Sequence, residues 1–557
     1  MEDLVRAALA EITASMAAKI VAIELSYPEQ RFGDFSTNVA IKLALELNTK
    51  AHDLAQNIAL ALKDKLSNEL SEVSIAGPGF INISLADSAV QKEILREATK
   101  PLAGQSAVVE FSDPNPFKVL HAGHLYTSIV GDAITNLLAS AGATVHRVNY
   151  GGDVGLHVAK SIWAMLNFLE GEKPSKLSQI EPSKRSEWMS EMYVSGNSAY
   201  EDDEAAKNAI VELNKRVYAI QANNDHDSNL AQIYWTTRSW SYEEFNRFYS
   251  RLNIHFDKFY TESEVAQVGL GIVLEQLDNG VFKQSEGAVV FEGESYGLHT
   301  RVFINSHGLP TYEGKELGLA ELKKRDFKMS RSIIITGNEQ QQYMAVVLQA
   351  LSQFAPELAE HTTHLTHGMV RLSGGKKMSS RQGNILRAGD VLDAAEVAAA
   401  KLSDNSDNRV VLAAVKYAFL KQRIGGDVIY EPEESVNILG NSGPYLQYAC
   451  ARASSVVAKA GQTKSSSEGD KLQPGERALA IKLSRFASTL DAATAELSPH
   501  LLCTYLYDLA QEFNRFYEAN RVIGDEREAI RLYLTQVYAK RLKQGLGLLG
   551  IESPERL

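Results

Sequence analysis

Cysteine is nearly absent from this chain of 557 residues: Cys450 and Cys503 are the only two. They cannot build a disulfide framework or a cysteine-rich zinc site, and such scarcity suits a reducing compartment. An excess of positive charge is also missing. The net charge is −12, which excludes a histone-like or generally basic nucleic-acid binder while leaving room for local basic surfaces. No run of apolar residues approaches the ~20 that a membrane span requires. The first residues, MEDLVRAALAEITASMAAKI, have neither the basic start nor the apolar block of a secretory signal. A cytoplasmic protein without a membrane segment or a structural metal is expected.

What is present is ordinary globular material. Apolar residues make up 45% of the chain and charged residues 23%, so the length implies several domains, each able to bury a core. From Glu431 onward, 15 Lys and Arg face 16 Asp and Glu. That end is therefore nearly neutral in an acidic chain, a weak pointer to an anionic partner there.

Residues 1–102 mix helical runs such as Asn38 to Leu47 with two extended pieces, Val73 to Ala76 and Phe80 to Leu85, around the turn AGPGF. They read as a small α/β domain. In residues 103–410, strand-like runs (AVVEF, VHRVNY, AVVF, SIIITG) alternate with helical patterns, the mark of a doubly wound parallel sheet. An insertion near 165–300 interrupts the alternation; its charged, helix-prone part, Gly171 to about Asn224, is expected between the sheet's two halves. Over 411–557 strand signals vanish, amphipathic helices predict a bundle, and GQTKSSSEGDKLQPGE reads as a surface linker.

Two segments carry chemistry. In EFSDPNPFKVLHAGHLYTSIVGDA a strand ends at Phe111 and a helix begins near His121. His121, Gly123 and His124 then stand at a helix N-terminus, whose free amides attract phosphate. The missing side chain at Gly123 lets a flat base approach, and the histidines can donate hydrogen bonds to phosphate oxygens as charge shifts. A capped helix with two surface histidines explains the motif about as well by itself. In HGMVRLSGGKKMSSRQGNIL, glycines lead into Lys376 and Lys377, followed by Met378, Ser379, Ser380 and Arg381. Such a loop can close over a triphosphate, or be only an exposed basic loop.

In this order the two segments resemble the ATP-binding motifs of class I aminoacyl-tRNA synthetases, and the nearer resemblance is to the arginyl-tRNA synthetase family. It spans the chain: RFGDFSTNVA and IAGPGFINISL resemble that family's N-terminal domain, YVSGNSAYEDDEAAKNAI its connective insertion, PTYEGKELGLA its amino-acid pocket, and GPYLQYACARAS with YLYDLAQEFNRFYEANRVI its helical anticodon-binding domain. The resemblance implies a ligase that makes arginyl-adenylate from L-arginine and ATP with Mg2+, then transfers arginine to tRNA(Arg). It implies a Rossmann-like catalytic domain and, for the protein as a whole, a monomer.

Residue by residue, the resemblance assigns catalysis by alignment and charge stabilisation to His121, His124, Lys118 and Lys377. ATP contacts fall to Pro114, Asn115, Ala122, Gly123 and His124, with Met378, Ser379, Ser380 and Arg381 from the second motif. Glu110, Asn115 and His124 resemble the residues that hold the amino and carboxyl groups of the substrate, and Gln340 another pocket residue. A planar guanidinium calls for a carboxylate and an aromatic neighbour, which Glu316 and Tyr312 supply one helical turn apart. Tyr445, Tyr448, Arg452, Asn514 and Arg515, in company with Gln447, Tyr517 and Arg521, are candidates for stacking on and pairing with anticodon bases.

The sequence departs from the family pattern at Ser380, where a second lysine is usual, which makes Lys118 and Lys377 rival phosphate cations. It departs also at Tyr126 (usually arginine), Asp113 (usually serine) and Glu316 (more often aspartate). The rival readings are a class I synthetase for another amino acid, a tRNA-binding paralogue without activity, and a nucleotidyltransferase sharing H-x-G-H. The cysteinyl type is disfavoured because zinc ligands are missing.

Overall fold

The computed structural model describes residues 1–16, 22–373, 386–402, 407–461 and 471–554. Its N-terminal part is a three-stranded antiparallel sheet in the order Phe35–Thr37, Phe80–Leu85, Leu70–Ala76. Helices Glu2–Ala14, Val39–Leu47 and Ala51–Lys65 supply buried apolar stripes (Val5, Leu9; Val39, Leu43; Leu54, Ile58, Leu62) at helical spacing. The AGPGF turn joins its two longer strands, with Gly77 and Gly79 at positive φ as a tight reversal requires.

The largest sheet among the described residues has five parallel strands in the order Thr362–His367, Arg331–Gly337, Ser106–Glu110, Thr144–Gly151, Lys258–Thr261. The chain starts at the centre with Ser106–Glu110, builds outward to one edge, then returns to build the other. The order therefore reverses beside Ser106–Glu110, and a crevice opens at the C-terminal strand ends there. The helix Ala122–Ser140 leaves this crevice and is buried along most of its length. It packs against helices Ala388–Ala400, Asn408–Leu420 and Glu528–Leu548, so one hydrophobic core runs from the N-terminal part through this helix into the C-terminal bundle.

Three sequence expectations need correction. AVVF forms Ala288–Phe291, but in a separate antiparallel sheet with Lys283–Ser285 and Arg301–Ile304, because an apolar run does not say which sheet it joins. The charged stretch after Gly171 lies within the first half of the sheet, in the crossover from Thr144–Gly151 to Lys258–Thr261. There Leu156–Phe168, Arg185–Asp202, Glu204–Ala222 and Asn229–Leu252 enclose their own core around Trp188, Val217 and Tyr234. Finally, strands do not end at 411: Val428–Tyr430 pairs in parallel with Val370–Leu372.

Five longer helices beyond that point (Gly443–Ala460, Pro474–Ser484, Phe486–Ala495, Pro499–Ala519, Glu528–Leu548), with Asn408–Leu420 ahead of them, make the bundle. Leu502, Leu506, Leu509, Phe513 and Phe516 form the buried stripe of Pro499–Ala519. Phe513 stacks on Tyr538 with ring centres 3.9 Å apart. The expected linker lies largely outside the described residues, and its final PGE already belongs to Pro474–Ser484.

Candidate active site

At the C-terminal ends of the central strands lies a cavity of about 1040 Å3. Its wall contains Glu110, Asn115, Lys118, His121, Ala122, Gly123, His124, Tyr312, Glu316 and Gln340, so residues singled out from three separate sequence segments meet in one place. Pro114 is buried and does not line the cavity; its carbonyl lies against Gly151. Lys377, Met378, Ser379, Ser380 and Arg381 lie outside the described residues. Both flanks of their segment border the site: Val370 and Leu386 line the cavity, and Leu386 and Ala388 exchange backbone hydrogen bonds with Ala122 and Leu120.

His121 caps the helix Ala122–Ser140. Its Nδ1 accepts the Gly123 amide at 3.1 Å, and its own amide donates to His124 Nδ1, also at 3.1 Å. The two rings stack with centres 3.7 Å apart. Burial holds both imidazoles below their ordinary pKa, His124 well below, with His367 and Lys118 opposing charge further. A neutral imidazole whose Nδ1 accepts must carry its proton on Nε2. The motif therefore offers two fixed N–H donors at the cavity wall.

Lys118 stands beside them over the Tyr193 ring at 5.7 Å, its pKa lowered by burial. Across the cavity, Glu262 and Lys315 form a buried pair at 2.6 Å. Gly152 separates this pair from the Asn115 loop: a Cβ there would meet Glu262 Oε1 at 2.6 Å and Asn115 Oδ1 at 2.8 Å. Its amide donates to Asn115 Oδ1 at 2.6 Å.

The inner end is acidic. Glu110 ends its strand and meets Lys323 Nζ at 2.5 Å, both side chains almost fully buried. Glu316 accepts the Tyr343 hydroxyl at 2.6 Å; burial, then the nearby Glu110 charge, push its pKa to about 8. Burial and Glu110 likewise hold Asp113 well above the usual carboxylate range. Tyr312, which opens the helix Tyr312–Phe327, is 58% exposed at the mouth. Three carboxyl groups thus face one space with a single lysine among them, a setting that favours a ligand bringing positive charge.

Sequence reading missed Lys323, Tyr343, the Glu262–Lys315 pair and His367, whose buried ring packs 4.8 Å from Tyr126 and lines the cavity. No local motif marks them. Asn149 and Asp153 are scaffold: Asp153 is fully buried, bonded to Arg238 at 3.1 Å and to the Ser263 amide at 3.0 Å. Asn149 ties the Phe111 carbonyl to Tyr249.

In the bundle, Asn514 donates to the Tyr445 hydroxyl at 2.9 Å and Arg452 lies over Tyr517 at 4.5 Å. Tyr448 is 48% exposed and Arg515 faces solvent beside Glu512. These groups share the exposed side of Gly443–Ala460 and Pro499–Ala519. Gln447 does not join them; it is wholly buried and donates to the carbonyls of Arg409 and Glu552.

Comparison with known proteins agrees with this geometry. The family model for the class I (R) tRNA synthetase catalytic domain matches residues 87–432, that for the DALR anticodon binding domain 446–557, and that for the arginyl tRNA synthetase N-terminal domain 1–85. The arginine–tRNA ligase of Porphyromonas gingivalis is 30% identical over 525 residues, 86% of each chain. That of Frankia casuarinae is 30% identical over 558 residues, covering 94% of this chain and 93% of its own. The solved arginyl-tRNA synthetase of Thermus thermophilus superposes over the whole of both chains with a TM-score of 0.80 at 25% identity. With its catalytic, N-terminal and anticodon-binding parts all matched in order, the chain belongs to the class I arginyl-tRNA synthetase family.

Proposed function

We propose the following division of labour for the arginine–tRNA ligase reaction that this enzyme catalyses. Arginine enters with its guanidinium toward Glu316, Tyr343 and Tyr312, and its carboxylate toward the histidine motif. One carboxylate oxygen attacks the α-phosphorus of ATP, the bond to pyrophosphate breaks, and arginyl-adenylate forms. A hydroxyl of the terminal ribose of tRNA then attacks the arginyl carbonyl, and AMP departs.

The protein supplies no covalent nucleophile; it supplies position and charge. The Nε2–H groups of His121 and His124 donate to phosphate oxygens. Because these rings are neutral and held by the backbone, they act as oriented dipoles that need no reorganisation when charge shifts. Lys118 and Lys377 neutralise phosphate charge. Asn115 and Gln340 hold the amino-acid backbone with His124. Magnesium would travel with the triphosphate and offset part of its charge; among the described residues no group of three acidic, His or Cys side chains is placed to hold an ion.

Tyr445, Tyr448, Arg452, Asn514 and Arg515 would meet the anticodon loop, and the parts 1–102, 103–410 and 411–557 would act as elbow-contacting, catalytic and anticodon-reading units. No described helix is long and apolar enough to cross a membrane. The reading is completed by a monomer working in the cytoplasm.

The observation that carries this reading is the single cavity with fixed N–H donors at one end and surplus carboxyls at the other. Charging of tRNA with each labelled amino acid tests it. Arginine alone should be esterified, and charging of another amino acid at a comparable rate would overturn it.

A further inference from the structure

We infer that Asp113 is the carboxylate that receives the α-ammonium group of arginine, a second anionic contact in the pocket beside Glu316. The inference rests on the proposed orientation of arginine and assigns it one further residue.

Asp113 lies in the loop between the strand end at Glu110 and the helix that starts after His121. It lines the cavity, where it faces Glu110, Glu316 and Lys323. The loop is held in an unusual conformation: Ser112 and Asp113 both have positive φ, 75° and 49°, which non-glycine residues adopt at a cost. Asp113 Oδ1 accepts the Tyr150 amide at 2.8 Å. Two residues on, Asn115 Oδ1 accepts the Gly152 amide at 2.6 Å. These are twin latches of the loop onto one strand end, and the second works with a neutral amide. A latch therefore needs no charge at position 113.

The charge has a different use. Glu110 is already neutralised by Lys323, so it is poorly suited to hold a ligand cation as well. Asp113 and Glu316 are the two cavity carboxyls of this group without a cationic partner among the described residues. Arginine brings two cationic groups, and its carboxylate belongs at the phosphates. Glu316, which accepts the Tyr343 hydroxyl, suits the planar group. Asp113, on the loop leading to the histidines, suits the ammonium on the carbon next to the reacting carboxylate. The charged groups facing Asp113 are Glu110, Glu316 and Lys323, with Tyr150 and Tyr249 as neutral neighbours. The first two disfavour its ionisation while the site lacks arginine.

The test compares arginine with two analogues as competitive inhibitors of tRNA charging: 5-guanidinopentanoate, which lacks the ammonium, and citrulline, which lacks the guanidinium charge. Asp113→Asn keeps the Oδ1 latch and removes the charge. Arginine should weaken ~10- to 100-fold in this variant, while 5-guanidinopentanoate changes less than ~3-fold. Equal weakening of both, no change in either, or a loss of discrimination against citrulline would overturn the assignment. Each of those outcomes leaves the synthetase reading intact, which fails only if the unaltered enzyme does not charge arginine. Should the variant not fold, the wild-type enzyme still decides. In calorimetry at pH 6 across buffers of different ionisation heat, arginine should release more protons than 5-guanidinopentanoate, because its ammonium drives Asp113 to ionise; equal release would overturn the proposal.

Discussion

Lys323 Nζ lies 2.5 Å from Glu110 Oε2, and the side chains are 1% and 3% exposed. The pair joins the helix Tyr312–Phe327, which also carries Glu316, to the end of the central strand. Removing one partner leaves a buried charge alone, which typically costs ~3 to 5 kcal/mol. Lys323→Met should therefore lower unfolding stability by about that amount in denaturant titration. The double variant with Glu110→Gln should recover much of it; no recovery would show that packing of the lysine stem is what matters.

The histidine motif makes a kinetic prediction. His124→Ala removes a donor aimed at charge that develops in the transition state, worth ~3 kcal/mol, so turnover should fall ~100-fold or more with a smaller change in arginine affinity. Because both imidazoles are held below their ordinary pKa by burial, wild-type turnover should show no acid limb from histidine near pH 6.5. Such a limb, lost in His124→Ala, would mean that the ring titrates near its ordinary pKa and is not held neutral by burial.

Glu316 predicts a pH dependence with a definite sign. Its folded pKa, about 8, exceeds the ordinary 4.5, so the folded enzyme holds a proton that the unfolded chain releases. Stability of the arginine-free enzyme should fall as pH rises from about 4.5 through about 8. Arginine binds the ionised form, so its affinity should rise over the same window and level off above it. Glu316→Gln should flatten that profile and reduce arginine use by two to three orders of magnitude, about what breaking a ~3 to 5 kcal/mol pair implies. A retained slope would move the guanidinium contact to another acid.

The exposed side of the bundle predicts effects confined to tRNA. Tyr448→Ala and Arg452→Ala should raise the KM for tRNA ~10-fold while leaving the KM for ATP within a factor of two, since stacking is worth ~1 to 3 kcal/mol per base. Arg452→Ala should also lessen the salt dependence of tRNA binding. An equal effect on ATP would mark these residues as supports of the bundle.

How far the sequence reveals this protein follows from burial and from range. Ser106–Glu110 and Arg331–Gly337 are central strands, paired on both sides, and they show as β-branched apolar runs. Lys258–Thr261 and Thr362–His367 are the two edges, paired on one side only, and their polar letters KFYT and TTHLTH hide them. In the site, His121 and His124 are legible because a helix start compresses their chemistry into four residues. Lys323 is not, because its meaning depends on a partner 213 positions away. His367 ends an edge strand, and only the fold lays its ring against Tyr126. Gln447, chosen by residue type among the RNA candidates, faces inward, where its amide donates to the carbonyls of Arg409 and Glu552.

The central claim is that one cavity selects arginine by charge and activates it at the histidine motif. Isotope exchange between pyrophosphate and ATP reads that step directly, across the twenty amino acids, with and without cognate tRNA. We expect activation to depend on bound tRNA, which would stabilise a productive arrangement that the free enzyme rarely populates. The account predicts exchange with arginine only, nearly absent without tRNA and restored by its addition. Exchange driven equally well by an uncharged amino acid such as citrulline or glutamine would contradict it.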